Sequence, residues 1–172
     1  MRILIDTNII LDIVQKREPF FADSYRALRK AIEADAECLI SASAATDIFY
    51  MFRKAFQSAQ QAKERIEQLS QIVTFADVQG ADIHTALTRS MPDFEDAVVD
   101  AVAERSGASY ILTRNIKDFA GSSVPAITPT EFLKIEEEAV INRRLFFPKY
   151  IGRIQAYSKR GQIYLPLCFS FF

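Results

Sequence analysis

Four acidic residues of this chain stand where short apolar runs end or where the next helix begins. Asp6 follows the apolar run 3–5, and Asp47 comes shortly after the run "ECLIS". Asp96 lies at the start of a helical stretch, and Asp118 lies in the loop that follows "SYILT". Gathered carboxylates raise one another's pKa unless a cation neutralises them. If the fold brings these segments together, they predict a site for Mg²⁺ or Mn²⁺, which prefer oxygen ligands.

A divalent ion in such a site would suit phosphodiester hydrolysis. It lowers the pKa of a bound water and stabilises charge on the phosphate, so no histidine is required. The chain has one histidine, His84, in the helical context "ADIHTAL". We expect it on the surface of a helix or half-buried there. Chemistry that needs a His–Ser or Cys–His pair is therefore not favoured.

Each acid also has a simpler interpretation when it is taken alone. Asp6 and Asp93 fit helix N-caps, and Asp47 would gain from the dipole of its helix. Asp100 fits a solvated helix residue, and Asp118 fits an ordinary loop acid. Only the coincidence of four segments favours a functional site over these separate roles.

The elements that must position these acids alternate along the chain. Short apolar strands are predicted at 2–5, 37–41, 72–75, 109–113 and 125–128. Helical patterns are predicted at 8–16, 21–32, 44–57, 60–70, 80–89, 93–106 and 129–138. This alternation predicts a three-layer α/β/α sandwich with a central parallel sheet. Ligands of such sheets bind beyond the carboxyl ends of the strands, where the strand order reverses. No glycine-rich nucleotide fingerprint follows the first strand.

Composition divides the chain into a domain, 1–138, and a C-terminal extension, 139–172. The extension has eight aromatic and six basic residues and no acid, so the domain holds 15 basic against 22 acidic residues. This acidic domain does not resemble a general nucleic-acid binder, and a polyanion would need a cation there. The two cysteines, the lack of a signal peptide and the absence of a long apolar stretch lead us to expect a cytoplasmic protein without membrane contact.

Several segments together resemble the PIN-domain family over roughly residues 1–137. These are "LIDTNIILD", "ISASAATDIFYMFRK", "DFEDAVVDAVAERSGASYILTRNIKDF" and "PAITPTEFL". The resemblance implies a parallel α/β/α sandwich and a ribonuclease that depends on Mg²⁺ or Mn²⁺. Many small members are VapC-like toxins that an antitoxin protein blocks. It therefore implies RNA as substrate, a cognate antitoxin as partner and, since members often dimerise, a homodimer.

The resemblance also implies roles for particular side chains. Asp6 and Asp96 correspond to metal ligands at the end of the first strand and in a later helix. Thr7 and Asn8 would orient Asp6 and hydrogen-bond to water or phosphate. Asp93 would support the site from the start of the helix that carries Asp96.

Two departures from the family pattern concern the remaining ligands. The family usually has Glu where this chain has Asp47, so contact there would go through water. The loop that often reads Thr-Arg-Asp reads Thr113-Arg114-Asn115, with Asp118 three residues later as the nearest acid. We therefore expect one tightly bound ion and a second that binds weakly. The candidate catalytic acids are Asp6, Asp47, Asp96 and Asp118.

Three other functions are alternatives to a ribonuclease. A non-catalytic PIN-like protein that binds RNA or acts as a scaffold would explain the two departures. A haloacid-dehalogenase-like phosphotransferase would need a second Asp two residues after Asp6, where Asn8 stands. A receiver-like signalling domain would need a lysine after a late strand, and none is suitably placed.

Overall fold

A computed structural model of the chain describes residues 1–135 and contains a single parallel sheet with helices on both faces. The first strands and helices are β1 (Arg2–Ile5), α1 (Thr7–Val14), α2 (Phe21–Glu33), β2 (Glu37–Ser41), α3 (Ala45–Phe56) and α4 (Ala59–Ser70). The others are β3 (Thr74–Ala76), α5 (Gly80–Thr88), α6 (Phe94–Arg105), β4 (Tyr110–Leu112), β5 (Ala126–Ile127) and α7, whose described part is 129–135. The extension 139–172 and the end of the predicted last helix lie outside the described residues.

The five strands have the order β3-β2-β1-β4-β5, and every neighbouring pair is parallel. Alternate residues of a strand point to opposite faces of the sheet. In β1, Ile3 and Ile5 belong to a core formed with α1, α2, α3, α4 and α7. Leu4 belongs to a second core formed with α5 and α6. The predicted three-layer α/β/α architecture is confirmed.

The strand order reverses between β1 and β4, which are neighbours at the centre of the sheet. Ile5 pairs with Leu112, and the Asp6 N–H donates to the carbonyl oxygen of Leu112 at 3.0 Å. One residue further along, the Thr113 N–H donates to the carbonyl of Ile127 at 3.0 Å. The residues that follow β1 and β4 therefore meet at the point where ligands bind in open α/β sheets.

Side-chain caps fix where the helices next to this edge begin. Asp93 precedes α6 and accepts hydrogen bonds from the backbone N–H groups of Glu95, at 2.8 Å, and Asp96, at 3.3 Å. Its predicted role as an N-cap is confirmed. At the start of α7, the Glu131 carboxylate accepts from the Thr128 N–H at 3.0 Å, and the Thr128 hydroxyl accepts from the Glu131 N–H at 3.2 Å. This reciprocal pair is a capping box.

Asp100 differs most from its sequence interpretation. It was expected to be a solvated helix residue, but it is fully buried. Its carboxylate accepts from the Ser123 N–H at 2.9 Å and from the Val124 N–H at 3.1 Å, and it lies 3.1 Å from Arg89 Nε. The expectation is wrong because the loop before β5 folds over this part of α6 and needs an acceptor there.

Other differences are small. The third strand begins two residues later than predicted, at Thr74. His84 is exposed on α5, as predicted. Within residues 1–135, no helix has both the length and the apolar character required to cross a membrane.

Candidate active site

The hydroxyl of Thr113 connects the segments that follow β1 and β4. Thr113 is buried, and its Oγ1 donates to Asp6 Oδ2 at 2.6 Å. The same oxygen accepts hydrogen bonds from Asn8 Nδ2 at 3.1 Å and from the Asn115 N–H at 3.0 Å. One hydroxyl therefore fixes a carboxylate, an amide and the start of the loop after β4.

Asp6 is held at both of its carboxylate oxygens. Oδ2 accepts from Asn8 Nδ2 at 2.6 Å as well as from Thr113, and Oδ1 accepts from the Asn8 N–H at 3.5 Å. Asp6 thus caps α1, as its simpler interpretation predicts, and also has a defined orientation. Burial raises its pKa, while hydrogen bonds from Thr113 and from the backbone of Asn8 and Thr7, with the charge of Arg114, oppose the rise. Asn8 has its predicted orienting role, whereas Thr7 acts on Asp6 through its backbone.

Asp96 has a strongly raised pKa at this edge of the sheet. Its pKa is raised to about 7, first by burial and then by the negative charges of Asp6, Asp93, Asp118 and Glu95. Carboxylates raise one another's pKa only over short distances. The fold therefore brings Asp6, Asp96 and Asp118, three of the four candidate catalytic acids, into one cluster.

Asn115 and Phe119, in the loop after β4, set the orientation of the Asp118 side chain. Phe119 is buried and anchors the loop. The side-chain amide of Asn115 donates to Asp118 Oδ2, and the Asp118 N–H donates to the Asn115 carbonyl at 3.0 Å. Because the charge of Asp118 raises the pKa of Asp96, it lies on the side of the site rather than away from it.

Asp47 lies at the outer edge of the cluster. It is exposed in the first turn of α3, and it is absent from the charges that raise the pKa of Asp6 or Asp96. The pKa of Glu95 is raised first by burial and then by the charges of Asp47, Asp93 and Asp6. Glu95 was not a sequence-based candidate, although it stands in "DFEDA" directly before Asp96 and is the residue through which Asp47 reaches the cluster.

Two more residues near the site had no sequence-based role. Asp12 is fully buried and pairs with Arg114, whose Nη1 lies 2.8 Å from Asp12 Oδ1. Burial raises the pKa of Asp12, and Arg114 and the Ser24 hydroxyl oppose the rise. The signal in the sequence was a carboxylate one helical turn after Asn8, on the same face of α1.

No group of three or more Asp, Glu, His or Cys side chains within residues 1–135 is arranged so that it could hold a metal ion. The acids form instead a graded cluster. Its inner pair is Asp6 and Asp96, its flanks are Asp93, Asp118 and Glu95, and its outer member is Asp47.

The raised pKa of Asp96 predicts an unusual pH dependence of the stability of the metal-free protein. The folded state holds the Asp96 proton up to about pH 7, whereas the unfolded state releases it near the ordinary value of 3.8. The free energy of unfolding should therefore fall as the pH rises from about 4 to about 7. Melting temperatures in the presence of a chelator check this, and Asp96→Asn should make the decline smaller, while the raised pKa values of Asp6, Asp12 and Glu95 maintain the rest. An equal decline in both proteins would contradict the assignment.

Comparison with known proteins identifies a family and a sequence relative that this chain resembles. A family model described as "PIN domain" matches residues 2–117. Ribonuclease VapC1 from Aquifex aeolicus (strain VF5) is 24% identical over 136 residues, which cover 76% of this chain and 92% of that protein.

Two solved structures have a similar fold. VapBC2 from Rickettsia felis, bound to a DNA fragment from their promoter, matches with a TM-score of 0.59 at 14% identity and covers 74% of this chain and 98% of that chain. VapBC-1 from nontypeable Haemophilus influenzae matches with a TM-score of 0.56 at 17% identity and covers 76% of this chain and 99% of that chain. At these identities the likeness shows the fold.

Proposed function

The chain belongs to the PIN domain family, and on that premise we propose that it is a divalent-metal-dependent endoribonuclease, the toxin of a type II toxin–antitoxin pair. The observation that carries the proposal is the pair Asp6 and Asp96 at the point where the strand order reverses. Their carboxylates are partly desolvated and repel each other. Such a pair is ready to accept a cation.

The donor chemistry of this pair fits Mg²⁺ or Mn²⁺. Mg²⁺ keeps several of its waters and takes only one or two carboxylates from the protein. Asp6 and Asp96 would hold the ion directly, and Asp118, Asp93, Glu95 and Asp47 lie around them to accept hydrogen bonds from its waters. When bound, the ion would supply an activated water and charge stabilisation on the phosphate. One tight ion and a second weak one remain the expected stoichiometry.

The chain itself contributes to this chemistry by fixing the orientation of the Asp6 and Asp118 carboxylates. Thr113 and Asn8 both donate to Asp6 Oδ2 at 2.6 Å, whereas the Asn8 N–H lies 3.5 Å from Oδ1. Asp6 is thus presented with one occupied and one available oxygen. Asn115 similarly holds one oxygen of Asp118. Side chains fixed in this way lose little freedom when substrate binds.

The toxin role rests on the similarity to a VapC ribonuclease and to VapBC complexes. It implies a cognate antitoxin protein as partner, and a homodimer is a further expected assembly. The neighbouring open reading frame checks this role, because a small gene for a DNA-binding antitoxin should stand beside this one.

A non-catalytic RNA-binding or scaffold protein of the same family is the second candidate. Asn115 in place of an acid favours it, since the site then lacks one carboxylate. Asn115 holds Asp118 beside Asp96, and Asp118 would supply the missing carboxylate. The phosphotransferase and receiver alternatives are no longer needed, because the chain belongs to another family.

Metal removal separates the two remaining candidates. The purified chain is incubated with a labelled single-stranded RNA, and with the matching DNA as a control. We expect endonucleolytic cleavage of the RNA in Mg²⁺ or Mn²⁺, complete loss with a chelator, and recovery when the ion is restored in excess. Cleavage that persists in the chelator would contradict the metal dependence. RNA that is bound and never cut would favour the non-catalytic candidate.

A further inference from the structure

Arg114 is held by α1 at both its backbone and its side chain. The Arg114 N–H donates to Asn8 Oδ1 at 3.2 Å, and its Nη1 donates to Asp12 Oδ1 at 2.8 Å. Asn8 and Asp12 are one helical turn apart and therefore lie on one face of α1. The first residue of the loop after Thr113 thus has a fixed position relative to Asp6.

The guanidinium group is also fixed by an aromatic ring. Its Cζ lies 4.2 Å from the centre of the Phe20 ring, at the start of α2. Phe20 is 41% exposed, so the stacked pair lies at the surface. A guanidinium stacks on an aromatic face in this way, whereas the ammonium of lysine cannot.

Part of the hydrogen-bonding capacity of Arg114 remains unused. Its Nε and Nη2 donate to no acceptor within residues 1–135, and neither is a buried donor without a partner. The side chain is 29% exposed. These donors therefore face solvent, and the guanidinium lies near enough to Asp6 to oppose the rise of its pKa.

Neutralisation of buried Asp12 does not by itself account for this arrangement. The ion pair with Asp12 uses only Nη1 of Arg114. The Ser24 hydroxyl already donates to the other Asp12 oxygen at 3.2 Å. A rigid guanidinium with free donors is well suited to a phosphate. It is also the cation that acts on Asp6 in a cluster of six acids, where an approaching polyanion most needs one.

We propose that Arg114 binds a phosphate of the RNA backbone next to the Asp6–Asp96 pair, and that Asp12 and Phe20 are positioning residues for its guanidinium. The proposal rests on the proposed ribonuclease function and adds a substrate contact to it. RNA would then lie across the loop 113–115 towards the start of α2.

The test measures how RNA affinity depends on salt, in the full chain with Asp96→Asn so that the RNA stays intact. The probe is a fluorescein-labelled single-stranded RNA in Mg²⁺. The double variant Asp12→Asn/Arg114→Ala keeps the net charge and leaves no buried charge unpaired. It should bind roughly tenfold more weakly, as expected for a lost charge-assisted hydrogen bond. Its slope of log K against log salt should be smaller by about 0.7, the value for one phosphate contact on a single strand.

A second charge-neutral pair is the matched control. Arg29→Ala/Glu33→Gln removes an exposed ion pair of 2.8 Å on α2 and should leave both affinity and slope unchanged. Arg114→Lys should keep the slope but lose affinity, because the charge remains and the stacking does not. A folded Asp12→Asn/Arg114→Ala variant with an unchanged slope would overturn the inference and leave Arg114 as the counter-ion of Asp12.

Cleavage of the same RNA by the wild-type chain is measured in parallel. Cleavage together with an unchanged slope in the double variant overturns only the contact of Arg114. No cleavage and no binding by the wild type would overturn the proposed function itself, and the contact with it.

Discussion

Replacing Asp96 with asparagine should reduce the rate of RNA cleavage by at least about a thousandfold, the scale of a lost metal ligand. The fold should survive the change. In the metal-free protein the variant should melt at the same or a higher temperature above pH 7, because a carboxylate that repels Asp6, Asp118 and Glu95 has been neutralised. Asp6→Asn should likewise abolish cleavage, since the amide that replaces one oxygen is a poor ligand.

Asp96→Asn is expected to lower the cleavage rate without lowering the melting temperature. This combination distinguishes a lost metal ligand from a loss of structure. A variant that lost activity by unfolding would melt lower, not higher. Asp35→Asn is a suitable control, because Asp35 is exposed in a turn with φ 57°, which Asn also tolerates. It should leave cleavage unchanged. Wild-type cleavage by both Asp6→Asn and Asp96→Asn in Mg²⁺ or Mn²⁺ would show that the nuclease assignment is wrong.

Thr113→Val should reduce kcat by roughly a hundredfold, as expected when a catalytic group loses its orientation. Valine has almost the shape of threonine but cannot donate to Asp6 or accept from Asn8 and Asn115. The unpaired polar groups should also lower the free energy of unfolding by about 1–3 kcal/mol. Thr113→Ser keeps the hydroxyl and should retain most of the activity.

In Thr113→Val, the pKa of Asp6 distinguishes a lost hydrogen bond to Asp6 from a general loss of structure. The Thr113 hydrogen bond lowers this pKa, so its removal in Thr113→Val should raise it further. NMR titration of the metal-free protein measures the change. An unaltered Asp6 pKa, or full activity in Thr113→Val, would contradict the role assigned to the hydroxyl.

The strand ends could be predicted from the sequence because they depend on local pattern. Apolar runs followed by polar residues placed Asp6 and Thr113 at the ends of β1 and β4, and the Asp93 cap placed Asp96 in the first turn of α6. Parallel strands then bring their carboxyl ends to one edge. The general position of the inner pair thus followed from periodicity and capping alone.

The remaining features depend on contacts between residues far apart in sequence. The role of Glu95 appears only when α3 brings Asp47 towards α6. The burial of Asp12 depends on Arg114, 102 residues later, and that of Asp100 on the loop around Ser123. Local propensity carries no information on such pairs. They are set by tertiary packing, which also explains why Asp100 was assigned wrongly to the surface.

The hydrogen bond between Asp6 and Thr113 has a consequence for protein synthesis. It joins residues 107 positions apart, so Asp6 cannot take its final orientation until β4 pairs with β1. Contacts of such long sequence separation form late, because the intervening chain must first be ordered. A nascent chain therefore carries Asp6 long before Thr113 is made, and Asp6 gains its hydrogen-bonded orientation only after residue 113 has left the ribosome. The proposed ribonuclease would in this way be inactive while most of its domain is still being made.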